Sequence, residues 1–295
     1  GVFNVTPGFG EIAGRALALH PDVRGIFFTG SSETGKLIMQ FAGQSNMKKV
    51  FLECGGKSAF IVTKNCNRID EAAEVLAQNM FYNQGQICSA PSRVIIAREK
   101  FDEFLEKLKI ASEKFVPGDP FETENRVGCV VSREQFDKIQ SYIKLAESEG
   151  AEIFQAQTKK SIPENACAIQ PTIITKISSD SRVATEEIFG SVVVILPVDS
   201  SAEALRLANQ SEFGLAGAIW SDDFDEVYNL ARNLESGLVH INSYGNDDDS
   251  SPFGGVKQSG IGKDKSIFAF EKYSEQKSIW IHSRSLSRSE ERRVG

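Results

Sequence analysis

Short β-rich runs alternate with stretches of helical spacing along almost the whole chain, and that alternation limits the fold more than any single residue does. Strand-like segments fall at 24–29, 49–53, 58–62, 93–97, 172–176, 192–198, 216–220 and 238–242. Apolar residues recur at helical spacing over 12–19, 36–44, 71–83, 101–115, 132–150, 201–209 and 223–234. A run of β–α units predicts an α/β protein with a mostly parallel sheet, because parallel neighbours need a crossover that a helix supplies. A further β-rich run opens the chain at 1–5, and no repeat of fixed period is visible. At 295 residues the chain exceeds one typical domain, which predicts two domains or one large one.

Composition removes several function classes. With 41% hydrophobic and 25% charged residues the chain is globular in its proportions. It carries 33 Lys and Arg against 40 Asp and Glu, a net charge of −7, which argues against a nucleic-acid partner. The longest purely apolar run, 192–197, is far too short to span a bilayer. Five scattered cysteines with no CxxC pair argue against a disulfide scaffold or a zinc site and for a reduced cytosolic compartment. The three histidines, His20, His240 and His282, lie too far apart in sequence to suggest a metal pair, so no metal is expected. The opening GVFNV, with Gly rather than Met first and no signal segment, reads as the middle of a longer protein. Residues 284–295, RSLSRSEERRVG, offer almost nothing apolar to bury and read as a disordered or appended tail.

Three motifs carry candidate chemistry. Gly8, Gly10 and Gly14 approach a dinucleotide fingerprint but miss its spacing by one residue, so a turn into a helix is the better reading. Residues 30–37, GSSETGKL, fall one residue short of a phosphate loop. Leu37 stands where the magnesium-binding hydroxyl belongs, which argues against a nucleotidase that would depend on Lys36. What remains is a helix start with Ser31 beside it, suited to a phosphate or pyrophosphate. The third motif joins LECGGKS at 52–58 to NQGQICSA at 83–90. Cys66, Cys129 and Cys167 read as core residues. Cys88 differs, because it follows a Gly-containing turn at a helix end and precedes small residues, where a thiol stays reachable. No histidine sits in either motif, and Glu53, before two glycines, is the acid best placed to face a cleft.

These segments resemble the aldehyde dehydrogenase superfamily. Its glutamate motif is similar to Glu53-Cys54-Gly55-Gly56-Lys57 and its cysteine motif to residues 85–90. FFTGSSETG at 27–35 resembles its cofactor loop, EEIFG at 186–190 its ribose-binding motif, and SPFGGVKQSGIGK at 251–263 its C-terminal motif. Within the family, residues 244–255 and 262–281 are most similar to γ-glutamyl-γ-aminobutyraldehyde dehydrogenases. The resemblance implies a partial Rossmann-like cofactor domain (1–55), an α/β catalytic domain (56–255) and a C-terminal extension (256–283). Residues 272–281 of that extension would pair with a neighbouring subunit, giving a homo-oligomer.

The resemblance also implies a reaction. Cys88 attacks an aldehyde, hydride passes to NAD or NADP, and Glu53 activates water to hydrolyse the resulting thioester. The Cys88 N–H donates to the oxyanion. Gly30, Ser31 and Cys54 would lie at the cofactor, Glu187 on the nicotinamide ribose with Phe189 beside it, and Phe253 along the substrate channel. Two departures stand out: Cys54 replaces the family's Leu, and Ser191 replaces a Pro, which would loosen the loop carrying Glu187. Family members also have an upstream segment with the oxyanion-hole asparagine and adenosine contacts, so a catalytically silent fragment is the alternative. Transfer of the acyl group to coenzyme A is a further one. The acidic run Asp247–Asp249 reads either as a solvated loop or as a mouth attracting cationic aminoaldehydes.

Overall fold

A computed structural model describes residues 1–157, 162–163 and 165–282 of the protein. The expected tail at 284–295 lies outside the described residues. Residues 1–5 form no strand; Val2, Phe3 and Val5 stand exposed and pair with no strand among the described residues. Gly10–Gly14 is a single wide turn leading into α1 (Arg15–Leu19), so the three glycines do mark a turn into a helix.

β1 (Gly25–Thr29) and β2 (Lys49–Glu53) pair in parallel, connected by α2 (Ser32–Gln44). The sequence places the start of this helix at 36, but it begins four residues earlier. Ser31 caps it by accepting the Thr34 N–H at 3.2 Å. Gly35 looks like a turn residue in the sequence, yet it lies inside the helix. A Cβ there would sit 3.1 Å from Cys54 Sγ and 3.2 Å from Leu52, so this glycine serves close packing of α2 on β2. With Gly35 in a helix there is no phosphate loop at 30–37.

The larger sheet is built from β3 (Ala59–Val62), β4 (Arg93–Ala97), β5 (Glu152–Gln155), β6 (Thr172–Thr175), β7 (Val192–Val198), β9 (Ala216–Trp220) and β10 (Leu238–Ile241). Their spatial order is β10-β9-β3-β4-β7-β6-β5, and every pairing is parallel except β5 with β6. This is the α/β architecture that the alternation predicted. β5 escaped the sequence because its four residues, EIFQ, hold only two apolar positions on an edge. The central strands alternate between two cores. Phe60, Val94 and Trp220 pack with Leu76 of α3 (Ile69–Phe81) and Phe104 of α4 (Phe101–Ser112) on one face. Ile61, Ile95 and Ile219 pack with Leu207 of α7 (Ser201–Asn209) and Leu230 of α8 (Phe224–Asn233) on the other. With both faces covered, these strands read as continuous apolar runs. A third cluster forms where α5 (Arg133–Ser148) and α6 (Arg182–Thr185) cover β6 and β7.

Late segments return to early ones. β11 (Val256–Lys257) pairs with β8 (Phe213–Gly214), and β12 (Gly260–Ile261) joins the free edge of β2 in antiparallel. α9 (Phe268–Glu271) follows. Cys66 is core and Cys167 is half-buried, but Cys129 is exposed, contrary to the core reading. It lies in the irregular stretch before α5, where no sheet or helix face covers it.

The candidate active site

The amino-terminal ends of the large sheet meet the carboxyl end of β2. Cys88 lies before β4, Gly55 to Ser58 lie before β3, Glu187 lies between α6 and β7, and Glu53 ends β2. A tight turn delivers Cys88. Asn83, Gln84 and Gly85 take φ values of 49°, 57° and 69° in succession, and at Gly85 a Cβ would drive into the Gly190 carbonyl. Only glycine fits there. Three contacts then fix the cysteine's backbone surroundings. Val131 N–H donates to Gln86 Oε1 at 3.0 Å, Tyr244 Oη donates to the Ser89 carbonyl at 2.5 Å, and Gly56 lies so close that a Cβ would be 2.6 Å from the Cys88 carbonyl oxygen.

Glu187 reaches Gly56 and its neighbour Gly55. Its Oε1 accepts the Gly56 N–H at 3.0 Å, and any side chain at Gly55 would collide with its carboxylate. The loop behind it is held in place despite Ser191: Gln135 Nε2 donates to the Ile188 and Phe189 carbonyls at 3.0 and 2.7 Å. Phe189 adopts φ 59° in this loop. Lys57, in the same motif, was not singled out by the sequence. It is completely buried, donates to the Val183 carbonyl of α6 at 2.8 Å, and burial pulls its ammonium down to about 7. It thereby ties the Gly55-Gly56 turn to the helix that precedes Glu187.

In both Cys88 and Glu53 the surroundings shift the balance toward the protonated form. Burial raises the Cys88 thiol above its usual range, and the Glu187 and Glu53 carboxylates push the same way. The Ser89 and Cys88 backbone amides partly offset this. Burial, then Asp264, lifts Glu53 to about 7, and one of its carboxyl oxygens is buried without a protein partner. Alkylation of Cys88 by iodoacetamide, followed by peptide mass spectrometry, should therefore have its half-maximal rate at a pH above that of an ordinary thiol. Glu187→Gln removes one of the repelling charges and should move that midpoint down. An upward move, or none, contradicts this account of the site.

The remaining candidates sit around this centre. Gly30 closes β1 by donating its N–H to the Glu53 carbonyl at 3.0 Å, and Ser31 stands exposed at the start of α2. Cys54 is buried between β2 and α2, its Sγ 3.9 Å from the Ser31 carbonyl. Phe253 pairs with Asp264 through two backbone hydrogen bonds of 2.8 and 2.6 Å, and it lines a cavity with Ser89, Ile87, His240, Tyr244 and Asp247. His240, which the sequence offers only as too isolated for a metal pair, is a further residue that gained no role there, having no motif around it. It lies 3.4 Å from Asp247, and its ring packs on Tyr244 at 4.8 Å. In the acidic run, Asp248 accepts the Ser250 N–H and Asp249 pairs with Lys265, while Asp247 lies beside His240, whose protonation burial disfavours.

A dinucleotide fits these residues. The N–H groups at the start of a thirteen-residue helix suit a pyrophosphate beside Ser31, and two bare glycines leave Glu187 against backbone rather than side chain. Among the described residues no cluster of side chains suits a metal ion, and no helix is long and apolar enough to cross a membrane.

The chain is similar to known proteins in sequence and fold. The model of the aldehyde dehydrogenase family matches residues 1–279. The NADP/NAD-dependent aldehyde dehydrogenase PuuC of Escherichia coli is 42% identical over 281 residues, covering 95% of this chain and 56% of the relative. The aminoacetaldehyde dehydrogenase of Pseudomonas aeruginosa is 38% identical over 283 residues, with 95% and 56% covered. Among solved structures, the γ-glutamyl-γ-aminobutyraldehyde dehydrogenase of Burkholderia cenocepacia has 42% identity and a TM-score of 0.88, covering 93% of this chain and 55% of that one. The P. syringae indole-3-acetaldehyde dehydrogenase, in complex with NAD+ and IAA, has 40% identity and a TM-score of 0.90 over 94% and 56%. The chain spans about half the length of the relatives it matches.

Proposed function

Because the chain belongs to the aldehyde dehydrogenase family, we propose that it carries the catalytic half-reactions of an aldehyde oxidation that yields a carboxylic acid, with Cys88 as nucleophile and Glu53 as base. The observation that carries this reading is the meeting of Cys88 and Glu187 on Gly55-Gly56, with Glu53 at the adjoining end of β2. Cys88 Sγ bonds to the aldehyde carbon while its proton is released, and the Cys88 N–H donates to the oxygen. NAD or NADP, when bound at Ser31 and Glu187, would supply the hydride acceptor for this carbon. Glu53 then takes a proton from the water that attacks the thioester. The carbon–sulfur bond breaks, and the thiol of Cys88 is restored.

Around these two, Ser31 and Gly30 hold the pyrophosphate end and Cys54 packs beneath that helix start. Glu187 accepts hydrogen bonds from the ribose hydroxyls, with Phe189 alongside. Phe253 borders the aldehyde's path, beside Ser89. Residues 1–55 serve the cofactor and 56–255 the chemistry. The segment 256–283 bridges the two, as the β12–β2 and β11–β8 pairings support. The exposed Ile279, Trp280 and Ile281 support subunit pairing, and five free cysteines support a cytosolic home. The pairing of Asp249 with Lys265 supports an uncharged aldehyde, whereas Asp247 beside the substrate cavity supports a cationic one.

A single turnover with NAD and a small aldehyde tests the proposal, with NADH read by absorbance and the acyl adduct mapped by peptide mass spectrometry. NADH with the adduct on Cys88 is the expected result. An adduct on another cysteine refutes the assignment. Selective labelling of Cys88 without NADH establishes the alternative, a chain that holds the nucleophile but is catalytically silent by itself.

A further inference from the structure

Glu53 shares a cavity with two charged residues that the reaction above does not use. Phe27 of β1, Phe51 and Glu53 of β2, Asp264 and Lys272 line it. Lys272 immediately follows α9, yet its side chain is only 8% exposed. Its ammonium contacts the Asp264 carboxylate and stands 5.5 Å from the centroids of both Phe27 and Phe51. Those rings stack 5.0 Å apart, and Tyr273 stacks on Phe27 at 4.4 Å. A buried ammonium is costly unless a counter-charge and polarisable faces replace its water, and here both are supplied. Asp264 is fixed in turn by its backbone bridge to Phe253.

We propose that Lys272 is a positioning residue for proton exchange at Glu53: seated over Phe27 and Phe51 and paired with Asp264, it neutralises the second carboxylate of the cavity, so that Glu53 can shed its proton there between turnovers. The inference rests on Glu53 being the base. The charged and titratable groups facing Glu53 are Asp264 and Lys263 from the C-terminal loop, Lys272 after α9, neighbouring Cys54, and Cys88 across the cleft. Lys263 donates to the Gly254 and Gly255 carbonyls and, like Lys272, opposes protonation of Glu53. Asp264 favours the protonated form of Glu53, and Lys272 opposes it.

The test is an NMR titration of the chain with carboxyl-labelled glutamate, Glu53 being identified by the signal that Glu53→Gln removes. Lys272→Met should raise the Glu53 midpoint by about one pH unit, a tenfold gain in proton affinity. Asp264→Asn, a change at a half-exposed site that spares the fold, should lower it, and Lys272→Arg should restore the original value. A midpoint unmoved by both Lys272→Met and Asp264→Asn overturns the proposal and leaves Glu53 as base untouched. Midpoints that move while the pH dependence of thioester hydrolysis stays put leave Lys272 and Asp264 as electrostatic neighbours of Glu53 but refute Glu53 as the base, and the positioning role falls with it.

Discussion

Cys88→Ala should reduce aldehyde-dependent NADH formation by at least about 10⁴-fold, because the other thiol at the site, Cys54, is buried between β2 and α2. The substitution is suited to isolating chemistry from folding. What holds the turn in place is backbone and neighbouring side chains: the left-handed run at Asn83 to Gly85, the Gln86 contact with Val131, the Tyr244 bond to Ser89, and the close approach of Gly56. None involves the sulfur, so the unfolding midpoint in denaturant should change by no more than about 1 kcal/mol equivalent. Cys129→Ala, which alters an exposed thiol outside the site, should leave the NADH yield at the level of the parent. If Cys88→Ala retained a rate within tenfold of the parent, covalent catalysis by this residue would be refuted.

The sequence made the α/β architecture legible because its central strands are buried on both faces and their helices are amphipathic, so both periods survive in one chain. What it concealed depends on contacts distant in sequence. Gly35 looks the same whether it ends a turn or lets a helix approach Cys54, and only the packing of α2 on β2 decides. β5 is too short to carry a period and exists because β6 offers it an edge. The exposure of Cys129 follows from what fails to cover it. At the site, Cys88 and Glu53 stood out together because their two motifs resemble those of a known family; by itself each could have been an ordinary core thiol or surface carboxylate. His240, Lys57 and Lys272 did not, since a histidine in a strand or a lysine in a loop gains meaning only from partners 7 to 126 residues away, such as Asp247 for His240 and Val183 for Lys57.

Glu53→Gln should separate the two half-reactions. Glutamine keeps the size of the side chain but cannot take a proton, so one equivalent of NADH should form per chain and the acyl group should then remain on Cys88. Hydrolysis should slow by about 10²–10⁴-fold, the range general-base catalysis supplies. The pH dependence follows from the burial that lifts Glu53 to about 7. The working form is the carboxylate, so hydrolysis in the parent should rise with pH through about 7 and level off above it. In Glu53→Gln that rise should vanish. Stability should respond in the opposite sense. A carboxyl whose folded-state pKa is raised favours the fold below its unfolded value of about 4.5, and this advantage is lost as pH climbs through 7. At pH 8 the glutamine variant should therefore be the more stable one, by up to about 2 kcal/mol once water's access to the half-buried carboxylate is allowed for. A variant that gains alkaline stability yet hydrolyses its thioester at the parent rate would show that Glu53 is strained for some other purpose. The acyl group would then leave by a different nucleophile, with coenzyme A the first to add to the assay.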